Sequence, residues 1–469
     1  MMSPVTIQEI VRATQGALVV GDLGVPVTGV SIDSRTLGVG EAFFAIVGHR
    51  LDGHDFIADA ASRGAACIVA QTVPDHIPSG VPLVLVEDTT RALGRLAAAQ
   101  RAKLALPVAA VTGSNGKTTT KEMMAAVLSA LGRVLKPEGS FNNQWGVPLT
   151  LLRLTGEHQA LVVELGCNQP GEIAYLAGLA APTVGVVTTV AAVHTELLGS
   201  IEGVREEKVA LVRAIRDDGA VALNADDPRV AGMAQETRAR VITYGRAAGA
   251  EVRAAGDVTE DARGLSFALE IAGRRERVSL AFAGRHNVTN ALAAAAAGVA
   301  VGLSLADVVT GLERARPAKG RCVWREVAGV RILDDSYNAN PPAMGAAFDT
   351  AAAQQGSSRL VVVLGDMLEL GPLAETAHVE LGREVAARGA AEFVGLGRHM
   401  KLAVEAAREA GLAEAHHATT FEDTVAHALK RVARGDVVLI KGSRGMRMER
   451  VVDALAARLA RPEAQAEAR

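Results

Sequence analysis

The 469-residue chain is 49% hydrophobic and 22% charged, apolar enough for about three ordinary domains without disulfide staples. Its 49 basic and 52 acidic groups leave a formal charge of −3, which removes the electrostatic case for nucleic acid or an anionic membrane as the main partner. Aromatic residues are 3% of the chain, too few for base-stacking platforms. Cys67, Cys167 and Cys322 are far apart and odd in number, so no disulfide framework or metal-ligand spacing follows. Residues 1–10 lack a basic stretch followed by an apolar one, and the least polar run, residues 291–306, is too short to span a bilayer. The expectation is a cytoplasmic protein with no membrane insertion.

In chain order, residues 1–104 alternate strands expected at 40–47, 65–70 and 81–86 with a helix at 93–103. Pro107 marks a boundary. From 105 to 316 the pattern is strand, loop, helix, repeated, with strands expected at 108–111, 160–164, 183–188 and 220–223. Such alternation predicts a largely parallel sheet with helices on both faces. Residues 250–283 alternate polar and apolar positions and predict an antiparallel addition; a helix at 288–300 closes the unit. Residues 317–469 start a second α/β unit, with strands at 331–333, 360–364, 392–396 and 437–440. The tail at 461–469, charged and Ala-rich, is expected to fray.

The most informative stretch is Thr112-Gly-Ser-Asn-Gly-Lys-Thr-Thr-Thr120, after an apolar run and before a helix expected at 122–131. A strand, a glycine turn and a helix N-terminus make a phosphate cradle of backbone amides. Lys117 adds a mobile positive charge, and the Thr118 hydroxyl can ligate magnesium. Val111 stands where the usual loop has its first glycine, so this is a shortened variant. Ligands in open parallel sheets sit beyond the carboxyl ends of strands. There the chain places Glu164, His194, the run Asp334-Asp-Ser-Tyr-Asn-Ala-Asn-Pro341, Gly365-Asp-Met-Leu-Glu369 and Lys441-Gly-Ser-Arg-Gly445. Polar residues gather at strand ends in both units, which predicts a site in the cleft between them.

On residue type alone several of these keep two readings. Glu164 is a metal ligand or a surface carboxylate. His194 is a ligand or a solvated loop histidine. Lys208, in Glu206-Glu-Lys208, reads as a solvated lysine, and Asn287 and Asn290 read as helix caps. Asp334 and Asp335 are caps or ligand contacts, and the 441–445 turn is a plain turn or an anion site.

The motifs together resemble the Mur ligase family, ATP-dependent amide-forming enzymes of peptidoglycan precursor synthesis. They are Thr-Gly-Ser-Asn-Gly-Lys-Thr-Thr, Glu164-Leu-Gly, His194, Gly284-Arg-His-Asn287-Val-Thr-Asn290, Asp335-Ser-Tyr-Asn-Ala-Asn340-Pro and Lys441-Gly-Ser-Arg. The resemblance spans nearly the whole chain in the right order. It implies an α/β fold of three domains: 1–104 binding the UDP substrate, 105–316 a central P-loop domain with a parallel sheet, and 317–469 a Rossmann-like domain that binds the amino acceptor and closes over ATP. The last family member is the best match. The implied partners are therefore UDP-N-acetylmuramoyl-tripeptide and D-alanyl-D-alanine, the cofactors ATP and Mg²⁺, and the state a monomer.

By the same resemblance, Gly113, Ser114, Asn115, Gly116, Lys117, Thr118 and Thr119 hold the ATP phosphates, with Asn287, Arg321 and Asp335 on the rest of the nucleotide. Thr118, Glu164, His194 and a carbamylated Lys208 hold metal; Lys117, His194 and Lys208 are the implied catalytic set. Ser34, Arg35, Gly48, Asp52 and His54 match the uridine-diphosphate side, and Asn142 and Asn143 a loop facing the muramyl substrate. Asn338, Asn340, Lys441, Ser443 and Arg444 fall at the acceptor. Closure of the third domain, hinged near residues 316–319, is expected to bring Arg321 and Asp335 to the nucleotide. A folylpolyglutamate-synthase-like ligase shares the loop, but residues 31–56 argue against it. A nucleotide switch lacks support, since no Asn-Lys-x-Asp sequence is present.

Overall fold

The Val-Ala-Ala-Val-Thr strand Val108–Thr112 is buried at every position, as a strand covered on both faces must be. The computed structural model, which describes residues 2–48, 50–76, 79–191 and 195–461, places it in a nine-stranded sheet. Its neighbours, Ala160–Glu164 and Val184–Val187, both run parallel to it. Val134–Leu135 lies beyond the first; Ala220–Asn224 and Arg240–Gly245 lie beyond the second, all parallel. The chain therefore leaves Val108–Thr112 to one side and later returns on the other. That reversal opens a crevice at the strand's carboxyl end.

The antiparallel addition forms as expected and continues the same sheet. Val252–Asp261 pairs with Gly264–Ile271, and that strand with Arg274–Leu280. One face of the sheet packs on the helices Lys117–Leu128, His286–Ala300 and Leu305–Arg314. Residues 291–297 of the middle helix include six alanines without exposed surface, small enough to let it lie close to both neighbours.

The other face packs on Gly146–Leu152, Glu172–Ala180 and Ile201–Ala214, and its apolar cluster runs on without a break into the first unit. That unit has a five-stranded sheet in the order Ala17–Val20, Leu83–Leu85, Cys67–Ala70, Glu41–Phe44, Gly29–Ser31. The helix expected at 93–103 is Thr89–Arg101, started earlier because the Asp88 side chain accepts from Arg91 N. The third unit has a six-stranded sheet: Val323–Val327, Val330–Asp335, Val437–Lys441, Leu360–Gly365, Glu392–Leu396, Ala415–Ala418. Its two apolar clusters, one on each face, are its own.

Some elements differ from the sequence-based expectation. The phosphate-loop helix begins at Lys117, not at 122, because Gly116 in the left-handed region turns the chain directly into it. The central unit ends on Leu305–Arg314, beyond the helix expected to close it; a capping box between Ser304 and Asp307 starts that extra helix. The short strands Val134–Leu135 and Ala415–Ala418, and Ile7–Thr14, the first helix, were not expected. Residues 462–469 of the tail lie outside the described residues.

Candidate active site

Gly113 and Gly116 have φ of +146° and +81°. A Cβ on Gly113 would sit 1.9 Å from Thr188 Oγ1, and one on Gly116 2.3 Å from Asn290 Oδ1. Only glycine fits at either position. The loop between them is fixed from outside: Ser114 N donates to Thr189 O at 2.8 Å, and Thr188 Oγ1 donates to Asn115 O at 2.5 Å. The first intrahelical bond runs from Thr120 N to Gly116 O, so the amides before it point out of the helix end. Lys117 Nζ donates to Gly113 O at 2.7 Å. Its pKa is lowered to about 8, first by burial in the cleft and then by the charge of Lys208.

Glu164 ends the adjoining strand and is 1% exposed. Its Oε1 accepts from Asn142 Nδ2 at 2.8 Å and from the Thr118 hydroxyl at 3.3 Å. Its Oε2 is buried with no hydrogen-bond partner among the described residues. An unpaired carboxylate oxygen beside a threonine hydroxyl is a hard, anionic oxygen pair, the donor set a magnesium ion takes alongside phosphates. No group of three or more His, Cys, Asp or Glu among the described residues makes a metal cage.

Lys208 is not the solvated lysine that its polar neighbours suggest. It is 1% exposed, and its Nζ donates to Cys167 Sγ at 2.8 Å, on the loop after Glu164. Glu207 beside it accepts from Gly171 N and Ile173 N, both at 2.7 Å, and so fixes the start of the Glu172–Ala180 helix. Asn287 and Asn290 are not caps either. Both lie inside the helix His286–Ala300, where Asn290 Nδ2 donates to Asn287 Oδ1 at 2.8 Å.

The third unit reaches this loop. Arg321 Nη2 donates to Thr118 Oγ1 at 3.2 Å, and Asn340 Nδ2 to Asn115 Oδ1 at 2.8 Å. Tyr337 has guanidinium groups over its ring from Arg321 at 4.1 Å and Arg444 at 5.1 Å, and its hydroxyl meets Ser140 of the central unit. Arg321 and Asn340 of the third unit thus lie against the phosphate loop, while Asp335 pairs within its own unit with Lys441 and Cys322 N. Lys441 is buried and ion-paired with Asp335, and it donates to Asn338 O at 2.9 Å. Its charge is already neutralised. Arg444, paired with Glu449 at 3.0 Å but 60% exposed, is the more available cation at this end.

These groups surround one polar cavity of about 340 Å³, lined by the phosphate loop, Asn142, Asn143, Glu164, Arg321, Asn338, Asn340, Lys441, Ser443 and Arg444. A second cavity of about 820 Å³ lies between the first and central units. Ser34, Arg35 and Gly53 line it from one side, Phe141, Leu149 and Leu152 from the other.

The Mur ligase family catalytic domain matches residues 26–101, the Mur ligase middle domain 111–298, and the Mur ligase glutamate ligase domain 320–444. The UDP-N-acetylmuramoyl-tripeptide–D-alanyl-D-alanine ligase of Escherichia coli is 35% identical over 458 residues, 97% of this chain and 99% of that one. The chain belongs to the Mur ligase family. Within the family it is most like MurF. The crystal structure of MurF from Acinetobacter baumannii superposes with a TM-score of 0.88 at 33% identity, covering 97% of this chain and 99% of that one. MurF from Thermotoga maritima, solved in complex with ADP, superposes at 0.81 with 27% identity, covering 92% and 98%.

Within this Mur ligase frame, the residues singled out from sequence separate by cavity. Ser114 to Thr118, with Asn142, Asn143, Glu164, Arg321, Asn338, Asn340, Lys441, Ser443 and Arg444, share the polar cavity; Gly113, Thr119, Lys208, Asn287 and Asp335 do not line it, and Ser34 and Arg35 line the second one. Asp52, His54 and Gly48 do not line the apolar cavity. They build the turn behind it: His54 Nδ1 lies 2.6 Å from Asp52 Oδ1, Gln71 N donates to His54 Nε2 at 2.9 Å, and Gly48 N donates to Leu51 O. His194 lies outside the described residues. Sequence reasoning missed Phe141 as a lining residue, although its neighbours Asn142 and Asn143 are singled out, and missed Tyr337 and Cys167. No helix among the described residues is long and apolar enough to cross a membrane.

Proposed function

We propose that this chain is an ATP-dependent ligase that joins D-alanyl-D-alanine to UDP-N-acetylmuramoyl-tripeptide through an acyl phosphate in the cytoplasm. One observation carries the reading. A polar cavity with a phosphate loop and an unpaired carboxylate oxygen lies beside an apolar cavity closed by the first unit. The similar chain from Escherichia coli, matched almost end to end, is named for this reaction. A ligase of the folylpolyglutamate type leaves the first unit without a role.

The chemistry follows from poor leaving groups. A carboxylate cannot expel oxide, so one of its oxygens attacks the γ-phosphorus of ATP and ADP departs. The dipeptide amine then attacks the acyl carbon, and phosphate leaves with that oxygen. Lys117 and the outward amides at the helix start hold the transferring phosphoryl charge. Thr118 and Glu164 would hold one Mg²⁺ ion; His194 would help to hold a second, with Lys208 as its carbamate a further metal ligand. When bound, such ions supply charge stabilisation on the phosphates. Lys208 would gain the carbamate when its ammonium gives up one proton and the free amine adds CO₂ with loss of a second, which turns a donor into an anionic oxygen ligand. Arg321 and Asn340 bring the third unit against the loop and exclude water, which would otherwise hydrolyse the acyl phosphate. Arg444 faces the dipeptide carboxylate. An α-amine with pKa about 7.7–8.0 is roughly a tenth neutral at pH 7, so no strong base is required.

Phosphate release over a matrix of acyl and amine substrates tests this. Release should require UDP-N-acetylmuramoyl-tripeptide and D-alanyl-D-alanine together. Turnover with folate and glutamate, or with free D-alanine but not the dipeptide, would refute it.

A further inference from the structure

The ligation chemistry gives no task to Lys121, four residues into the phosphate-loop helix. Its side chain is 0% exposed. A buried ammonium is tolerated only when its three hydrogens find acceptors. Lys121 Nζ donates to Gly139 O at 2.5 Å and Pro137 O at 3.4 Å, and pairs with Glu122 Oε1 at 2.8 Å. Glu122 in turn is held by Lys136. Stability of the helix does not explain this cation. It sits near the positive end of the helix dipole, where a lysine is unfavourable. Its partners outside the helix all belong to the segment at 136–139.

That segment continues into residues 140–143, which serve both cavities. Ser140, Asn142 and Asn143 line the polar cavity, and Phe141 lines the apolar one. Asn142 also holds Glu164, through Nδ2, and its carbonyl accepts from Gly166 N at 2.8 Å. Neighbouring residues of one loop thus line two cavities, and the loop is tethered to the helix that carries the phosphate cradle.

We propose that Lys121 is a positioning residue: it ties loop 137–143 to the phosphate-loop helix and so sets Phe141 in the UDP-substrate cavity, while Asn142, tethered separately through Gly166 N, stays on Glu164. The proposal rests on the functional reading of the two cavities given above. It explains why a charge is buried where an apolar side chain would fill the same space. Pro137 is buried, so its carbonyl needs a donor from the protein, and the Lys121 ammonium reaches both it and the Gly139 carbonyl.

The test is Lys121→Met in the full chain, which keeps the apolar stem and removes the donors. The KM for UDP-N-acetylmuramoyl-tripeptide should rise roughly tenfold or more, as displacement of a substrate-facing loop predicts, with little change in the KM for ATP. Backbone hydrogen exchange over 137–143 should accelerate while the strand Val108–Thr112 keeps its protection. ADP affinity by calorimetry should stay the same. Equal rises in both KM values, or unchanged exchange in the loop, would overturn the proposal. Should Lys121→Met fail to fold, Glu122→Gln loosens the same ammonium. It should move the UDP-substrate KM and the loop exchange in the same direction by a smaller factor, and no movement in either would overturn the proposal. A wild-type chain with no ligase activity would refute the functional reading alone, because exchange and ADP binding still decide whether the loop is anchored.

Discussion

The two cavities differ in how they are made. The polar one is built at strand ends by residues whose chemistry dictates their type: glycines at positive φ, a lysine, a threonine, a buried glutamate. The apolar one is built where two units share a continuous core, from side chains such as Phe56, Phe141, Leu149 and Leu152. The third unit has cores of its own and, among the described residues, meets the phosphate loop through polar contacts, Arg321 on Thr118 and Asn340 on Asn115. Thus the first unit is fixed to the central one by a shared core, while the third touches the phosphate loop through exchangeable hydrogen bonds. A ligase that must hold one substrate and then admit another gains from that asymmetry.

The largest effect should come from the polar cavity. Lys117→Ala should keep the fold and reduce turnover by about 3 kcal/mol or more in transition-state stabilisation, at least roughly 100-fold. Thermal unfolding beside steady-state rates checks it, and near-normal turnover in a folded variant would remove Lys117 from the chemistry. Lys208→Ala should also lose most activity. If a carbamate is the functional form, added short carboxylates should restore part of the activity, and bicarbonate depletion should slow the wild type. Loss without rescue would leave Lys208 as the partner of Cys167 only.

How much of each cavity could be read from sequence follows the same division. The phosphate loop was legible because backbone approach and positive φ admit only glycine at two places. Glu164 was legible by its place at a strand end. Lys208 was misjudged because Glu206-Glu-Lys208 has the composition of a solvated face, and local polarity does not tell water from a polar cavity. Phe141 carried no readable signal: a lone aromatic in a polar loop becomes a cavity wall only when the first unit packs opposite. The parallel core strands were legible as continuous apolar runs, whereas two-residue Val134–Leu135 is too short to show a period. Asn287 and Asn290 were taken for caps because asparagine near a helix start usually is one. Here the close approach to Gly116 places Asn290 against the loop instead.

The apolar cavity should respond more mildly. Phe141→Ala should raise the KM for the UDP-peptide roughly tenfold to a hundredfold, the cost of about 1.5–3 kcal/mol of lost aromatic burial, with kcat and the ATP KM little changed. A shift confined to ATP would reverse the assignment of the cavities. The smallest effect concerns pH. With Lys208 free of carbamate, burial first and the Lys208 charge second lower the free-protein pKa of Lys117 to about 8, and nucleotide phosphates select the ammonium. ADP affinity should therefore be full below pH 8 and fall as pH rises through it, with a proton taken up on binding near that pH. Calorimetry in buffers of different ionisation enthalpy measures the uptake. Affinity flat to pH 9.5 would show that the lysine charge is not needed.

The central claim is ligation through an acyl phosphate assembled across these two cavities. The most direct measurement supplies UDP-N-acetylmuramoyl-tripeptide labelled with oxygen-18 in its terminal carboxylate, together with ATP and D-alanyl-D-alanine, and weighs both products. The account predicts one labelled oxygen transferred into the released phosphate and an amide product equal to the sum of the two peptides less one labelled water. Unlabelled phosphate, or phosphate released without the amide, would contradict it.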